Sequence, residues 1–341
     1  MGKGVRAVLV GCGGISGAWL RTFKEMPEVD LVGLVDINEQ AALARAQEYG
    51  LARAAVGTDL AAMLERTGPD VVFNCTVPQA HAEVDLTALR YGCHVLTEKP
   101  LADSMASAHE VAAAAREAGK ILAVIQNRRY DARIRRLRNF LASGAIGPIT
   151  TVRSEFFIGA HFGGFRDHMR HVLLMDMAIH TFDQARLITA ADPISACCHE
   201  WNPAGSWYDY DASAIAIFQM TSGIVYTYQG SWCAEGLNTS WECDWRIIGE
   251  KGSVKWDGAD SYQAQVVARA GGFRSELRDI EVPPFDAGDK TGGHAGNIRE
   301  FVRCVQSGGT PETIASDNIK SLAMVFGAIE SAEKGQVVPC A

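Results

Sequence analysis

The sequence contains no apolar run approaching the roughly 20 residues that a membrane-crossing helix needs, which excludes a bundle of membrane-spanning helices. It has no excess of positive charge: 32 Lys and Arg stand against 40 Asp and Glu, for a formal net charge of -8. A chain of that balance has no general attraction for nucleic acid or for anionic membrane. It has no Cys-x-x-Cys pair. The nine cysteines are an odd number, and Cys197 and Cys198 are adjacent. That usage argues against a disulfide frame or a zinc knuckle, and for reduced, packed thiols in a cytoplasmic protein. Internal repeats and low-complexity linkers are also missing. No secretory signal is expected, because Val5-Arg6-Ala7-Val8-Leu9-Val10 runs straight into a glycine loop. Gly2 is not expected to be myristoylated, since Arg6 stands where that motif wants Ser or Thr.

What is present is an ordinary globular composition, 48% hydrophobic and 21% charged, in 341 residues. That length exceeds the usual limit of one core and predicts two domains. Over residues 1–125 short β-branched runs (Val5–Val10, Val29–Val35, Val71–Phe73, His94–Leu96, Ile121–Ile125) alternate with helical stretches (Glu39–Tyr49, Ala80–Tyr91, Ser107–Ala118). Continuous apolar strands separated by helices mean a parallel sheet covered on both faces. Ser107 and Glu110 hold capping-box spacing for the third helix. From residue 126 the rhythm turns to period two. Val152 and Phe156 interleave with Arg153 and Glu155; Trp241, Cys243, Trp245 and Ile247 interleave with Glu242, Asp244 and Arg246. Half-buried antiparallel strands are expected there, with more at Ala212–Met220, Ile224–Trp232 and Ser253–Trp256. Helices are expected at Leu173–Ile188, Ala295–Gln306 and Asp317–Lys334. The expected fold is α/β: a first domain over 1–125, then an α+β domain over 126–341 with a large, mostly antiparallel open sheet.

Gly11-Cys12-Gly13-Gly14-Ile15-Ser16-Gly17 follows the first strand and opens a helix. Its glycines allow a tight turn and the close approach of backbone N–H groups to a pyrophosphate. Ser16 replaces the third glycine of G-x-G-x-x-G, and is small enough to keep helix and strand together. Alone the motif is weak. Asp36 strengthens it, because it ends the second strand pattern 20 residues beyond Ser16, where an acid accepts hydrogen bonds from the adenosine ribose. The first domain therefore reads as a Rossmann domain, with Gly11, Gly13, Gly14, Ile15, Ser16, Asp36 and the neighbouring Ile37 on the nucleotide. The Asp36 charge would repel a 2′-phosphate, so NAD is expected rather than NADP.

Glu98-Lys99-Pro100 follows the His94–Leu96 strand, at the edge where open α/β sheets bind ligands. An exposed loop lysine is ordinarily just solvated. Asp176 and His180 are four apart in a strongly apolar helical stretch and share one face. Such a pair is as consistent with a helix-stabilising contact, or a satisfied core histidine, as with catalysis. The order of several blocks carries more: the glycine loop; Cys75-Thr76-Val77-Pro78 with His81; Gly92-Cys93-His94-Val95-Leu96-Thr97-Glu98-Lys99-Pro100; Asn127-Arg128-Arg129-Tyr130; Asp176-x-x-x-His180-x-x-Asp183; and the closing Ser331-Ala332-x-x-Gly335. Together they resemble the Gfo/Idh/MocA oxidoreductases over nearly the whole chain. The resemblance implies that Lys99, Asp176 and His180 form the catalytic group. It implies that Thr76, Pro78, His81, Glu98 and Lys99 line the cofactor, with Asn127 near the nicotinamide edge, and that Arg128 reaches the substrate beside Asp176 and His180. The expected reaction is hydride transfer between NAD and a secondary alcohol of a sugar, sugar acid or cyclitol. An NAD-using glycosidase of the same resemblance, or a non-catalytic NAD- and sugar-binding regulator, stays open.

His161, His168 and His171 cluster with Asp167, but their spacing makes no closed ligand set and no metal is expected. That loop, with Arg166, reads instead as a cap on a substrate cleft. Arg128, Arg129, Arg133, Arg135, Arg136 and Arg138 alternate with Ile134, Leu137 and Leu141 as an amphipathic helix with a solvated basic face. Tyr226, Tyr228, Trp241 and Trp245 are expected on one sheet face. A homodimer or homotetramer through the second domain's sheet is expected, that domain often supplying the interface in the family.

Overall fold

In a computed structural model the short β-branched runs are strands, and residues 4–340 are described; Gly2 lies outside the described residues. Among the described residues, six parallel strands form the first sheet: β1 (Val5–Val10), β2 (Val29–Val35), β3 (Ala55–Gly57), β4 (Val71–Asn74), β5 (His94–Thr97) and β6 (Leu122–Val124). Their spatial order is β3-β2-β1-β4-β5-β6. The order reverses at β1 and β4, the switch point at which such sheets leave a crevice beyond their carboxyl ends. Connecting helices are α1 (Ser16–Phe23), α2 (Glu39–Glu48), α3 (Leu60–Thr67), α4 (Pro78–Arg90) and α5 (Met105–Ala118). β3 has no signal in the sequence, because its three half-buried residues display no period. The cap of α5 also differs from expectation. Ser104, not Ser107, is the N-cap, and its hydroxyl accepts the Ser107 N–H at 3.1 Å. The true cap lies one turn earlier, which adds a turn of helix.

Among the described residues the second sheet has nine strands: β7 (Ile149–Phe157), β8 (Pro193–Trp201), β9 (Ser213–Met220), β10 (Val225–Ser231), β11 (Asp244–Gly249), β12 (Gly252–Trp256), β13 (Tyr262–Arg269), β14 (Glu276–Ile280) and β15 (Val338–Pro339). The order is β14-β13-β12-β11-β7-β10-β9-β8-β15, antiparallel throughout except for the β7–β10 pair. The period-two pattern places Phe218, Tyr226, Tyr228 and Trp245 on the covered face. Ile215, Ile217, Val225 and Ile248 are on the other and stay about 40% exposed. Trp241 is not on this face: β11 begins only at Asp244, after a left-handed Cys243, and Trp241 is 48% exposed. The helices α6 (Ala132–Ala142) and α7 (Ile179–Thr189) belong to this unit. The α7 residues 179–188 are all buried, and the Phe182 ring packs edge-on against Phe218 and Tyr228 at 4.8 and 5.2 Å.

The arginine-rich helix is not the solvated face its sequence suggests. Arg135 is fully buried and faces Asp289 at 3.6 Å. Arg136 donates to the Pro283 and Val282 carbonyls and lies over the Tyr262 ring. Guanidinium groups satisfy several buried acceptors at once, so the run works as internal fastening.

Between β14 and β15 lie α8 (Gly293–Ser307) and α9 (Ala315–Lys334). One compact unit holds the chain up to Tyr130 together with Gly292–Ile319; the other holds Asp131–Thr291 and the chain from Lys320 onward. The division differs from a single boundary at 125/126. Segment 292–319, placed by sequence in the second domain, belongs with the first. The cause is hydrophobic: Ile298, Phe301 and Val302 of α8 are buried in the same cluster as Leu9, Phe73 and Leu96.

Candidate active site

The crevice at β1 and β4 is built largely from main chain. Gly11 has φ +87, and a Cβ there would lie 2.6 Å from the Cys75 carbonyl carbon and 2.7 Å from the Thr76 nitrogen. Only glycine fits. At Gly13 and Gly14 a Cβ would meet nothing within 4 Å, so these positions face open space. Ser16 is buried and donates to the Gly13 carbonyl at 2.6 Å, which holds the loop closed at the start of α1. The first turn of α1 has no side-chain cap, which suits an anion at a helix N-terminus.

Asp36, at the end of β2, grips the loop: Oδ2 accepts the Cys12 N–H at 2.7 Å and Oδ1 the Asn38 N–H at 2.8 Å. Arg45 of α2 holds the next peptides of the loop, donating to the Cys12 and Gly13 carbonyls at 3.3 and 2.9 Å. Its guanidinium is committed to the loop and to Glu48. Arg6 donates to the Thr67 carbonyl at the other end of β1. A cleft of about 540 Å³ opens here, lined by Gly11, Gly13, Asp36, Ile37, Thr76 and the segment Thr58–Ala61 after β3. Ile37 is 98% exposed at its rim. The Thr58–Ala61 wall went unnoticed in sequence because β3 did. Asp59 was the available signal, as its carboxylate caps α3 through the Ala62 N–H at 3.0 Å.

The loops after β4 and β5 hold the other expected cofactor residues, and not all face the cleft. Thr76 does. Pro78 opens α4 at its first turn, where its missing N–H costs nothing. His81 has no exposed surface: Nε2 meets the Thr76 carbonyl at 3.1 Å and Nδ1 the Pro100 carbonyl at 2.7 Å. It ties two loops together from behind instead of lining the cofactor. Burial lowers its pKa, against the pull of those carbonyls. Glu98 is also turned inward. It accepts the Trp19 indole N–H at 2.8 Å and lies 3.6 Å from His294 Nε2. Its other oxygen takes the Lys99 N–H at 3.3 Å, so it fixes the backbone of half-buried Lys99, which precedes a cis peptide to Pro100. Asn127 and Arg128 are half-buried in a 3-10 turn, Asn127–Tyr130, after β6.

In the second unit, the stretch carrying Asp176 is a π-helix, Leu173–Ala178, which passes into α7 just before His180. This wider turn revises the continuous α-helix expected from sequence, and such turns favour functional sites. Asp176 is held by Arg166, at 2.7 Å from Nε and 3.3 Å from Nη2, a two-point ion pair. Arg166 also lies over the Phe162 and Phe165 rings at 4.9 and 4.8 Å. His180 is 8% exposed at the first turn of α7. Asp183, one turn on, accepts from Ser321 within the core. The three loop histidines part company. His161 pairs with Glu235, His168 with Asp209 and His171 with Glu200. Among the described residues no three His, Cys, Asp or Glu side chains gather as a metal-ligand set. Tyr208 donates to the Ala160 carbonyl, and burial pushes its pKa up to about 12.

The donor set of the first unit fits a dinucleotide: open main chain at Gly13 and Gly14, an uncapped helix start, and a carboxylate at the end of β2. Comparison with known proteins agrees. Residues 5–126 match the oxidoreductase family with NAD-binding Rossmann fold, and residues 134–255 the GFO/IDH/MocA C-terminal domain. The chain is 26% identical to the D-apiose dehydrogenase of Paraburkholderia graminis, over 98% of this chain and 90% of that one. It is 25% identical to the inositol 2-dehydrogenase of Rhizobium meliloti, over 98% of both. The crystal structure of the WlbA dehydrogenase from Bordetella pertussis, in complex with NADH and UDP-GlcNAcA, superposes with a TM-score of 0.81 at 21% identity, covering 99% and 98% of the two chains. The chain belongs to the Gfo/Idh/MocA oxidoreductases, the family with an NAD-binding Rossmann fold.

Proposed function

We propose that this oxidoreductase transfers a hydride between NAD and a secondary alcohol of a sugar, sugar acid or cyclitol. The observation that carries the reading is the cleft at the end of β2. There the Asp36 carboxylate is pinned by two backbone N–H groups beside the open glycine loop. A carboxylate so fixed accepts the ribose hydroxyls and opposes a 2′-phosphate. Arg6 is engaged at the other end of β1 and Arg45 with the loop carbonyls and Glu48, so NAD is favoured over NADP.

Bound NAD supplies the hydride acceptor or donor. The chain's own residues must handle the proton, since an alcohol that gives up hydride also loses its hydroxyl proton. His180 is assigned as the general base, imidazole being suited to that transfer near neutrality. Lys99 is assigned to stabilise the charge that develops on the substrate oxygen. Asp176, oriented by Arg166, positions substrate hydroxyls, with Arg128 and Arg166 beside them. Asn127 and Thr76 complete the cofactor side. The relatives named for apiose and inositol support a polyhydroxylated substrate.

We assign the outer face of the nine-stranded sheet, where Ile215, Ile217, Val225 and Ile248 are exposed, to a homodimer or homotetramer. The free thiols suit a cytoplasmic setting.

The test is a panel of polyols, sugars and sugar acids with NAD, read by NADH absorbance. At least one should give sustained reduction. Glycoside cleavage without net NADH points to the hydrolytic alternative, and NAD binding with no turnover on any of them to a regulator.

A further inference from the structure

The inner face of α4 carries an acid that the reading above does not use. His81, Asp85, Ala88 and Leu89 are its buried residues, and Asp85 has no exposed surface. Its neighbour Asn74 ends β4, a strand otherwise made of Val71, Val72 and Phe73, and is also fully buried. Either polar group alone would be costly in this core. Together they pair: Asn74 Nδ2 donates to Asp85 Oδ1 at 2.7 Å. Nδ2 also donates to the His81 carbonyl at 3.2 Å.

Those two acceptors fix which way the Asn74 amide points. With its NH₂ committed to Asp85 and His81, its oxygen is left to face Thr76. That oxygen accepts the Thr76 backbone N–H at 3.1 Å and the hydroxyl at 2.6 Å. The His81 ring lies with Nε2 3.1 Å from the Thr76 carbonyl and Nδ1 2.7 Å from the Pro100 carbonyl, and its neutral form has one N–H to give to one of them. The peptide that carries the Thr76 N–H, Cys75–Thr76, is thus held by Asn74, and it is the one against which Gly11 of the glycine loop packs so closely that a Cβ would touch it. Were the amide to turn over, its NH₂ would meet the Thr76 N–H, donor against donor.

We propose that Asp85 is a positioning residue of the dinucleotide site: by setting the orientation of the Asn74 amide, it fixes the Thr76 peptide against the glycine loop. The proposal rests on the assignment of that cleft to NAD. Burial pushes the Asp85 carboxyl up to about 8, against the pull of Asn74 and Thr97. At neutral pH the group is largely the neutral acid, for which Asn is the natural stand-in.

The test compares Asp85→Asn, Asp85→Leu and the double variant Asn74→Val/Asp85→Leu by NADH titration, steady-state kinetics and hydrogen exchange of residues 74–78 in the protein without nucleotide. Asp85→Asn should bind NADH within about twofold of the parent. Asp85→Leu should weaken NADH and raise KM for NAD about tenfold, keep kcat at saturating NAD, and speed exchange at the Thr76 amide. The double variant removes the buried acid and the amide together but also takes the acceptor from the Thr76 N–H and hydroxyl, so it should recover part of the melting temperature lost in Asp85→Leu and none of the affinity. It also decides the matter should Asp85→Leu fail to fold. Parent-like NADH binding in folded leucine variants would overturn the proposal and leave Asp85 a packing residue. A parent protein that binds no NADH would instead overturn the cleft assignment, and the proposal with it.

Discussion

In the first unit the cleft is lined by the glycine loop at Gly11 and Gly13 and by Thr76, with Asp36 holding a loop N–H and Arg45 two loop carbonyls. In the second unit the candidate groups are side chains held by opposite charge: Asp176 by Arg166, His168 by Asp209, His171 by Glu200. A peptide loop serves one ligand of fixed shape, since its donors cannot be exchanged by changing a residue. Ion-paired side chains can be exchanged singly without altering the backbone. On the function proposed above, the contrast assigns the cofactor to the peptide loop of the first unit and substrate choice to the exchangeable side chains of the second.

The largest expected effect lies with the proton-handling groups. Lys99→Ala and His180→Ala should each reduce turnover by about 10²–10⁴-fold while NADH titration stays near parent values; normal turnover in both would remove the catalytic assignment. A smaller effect belongs to the carboxylate of the rigid unit. Asp36→Ala loses charged hydrogen bonds to ribose and loop, and kcat/KM with NAD should fall about 10–100-fold. Discrimination against NADP should narrow at the same time. If Asp36→Ala changes substrate KM instead, the division of labour is wrong.

Arg166→Met is the mirror-image experiment. Releasing Asp176 should raise substrate KM about tenfold and leave NADH binding untouched, which calorimetry with NADH checks. The smallest effect concerns His171. Its hydrogen bond to Glu200 raises its pKa, with burial opposing. A raised folded-state value adds stability that is fully present below the ordinary histidine pKa and is lost as pH rises through the folded one. The melting temperature should therefore drop by about 1–3 °C between about pH 6 and about pH 8. That slope should shrink in His171→Gln, and an unchanged slope would remove the ion pair from the account.

The strand and helix rhythm of residues 1–125, the glycine loop and Asp36 were legible in sequence because each depends on neighbours along the chain. A glycine loop needs its strand before it and its helix after it, and the period of apolar residues reports burial directly. The antiparallel second sheet was legible for the same reason. The orientations of Glu98 and His81 were not. Both were expected at the cofactor, and both are turned inward to Trp19 and to two carbonyls that come from other elements. Nor could the sequence show that Arg135 and Arg136 are fastened inside, since their acceptors lie about 150 residues away.

The local chain alone determined most of the elements, the glycine loop and the acid that follows it, through hydrogen-bonding periods and backbone sterics that act over a few residues. Tertiary structure alone decided that α8 completes the first core, that a π-turn carries Asp176, and that Asp85 and Asn74 satisfy each other. Those outcomes depend on which surfaces and polar groups meet across long loops, and a buried group's partner is set by proximity in space rather than by spacing along the chain.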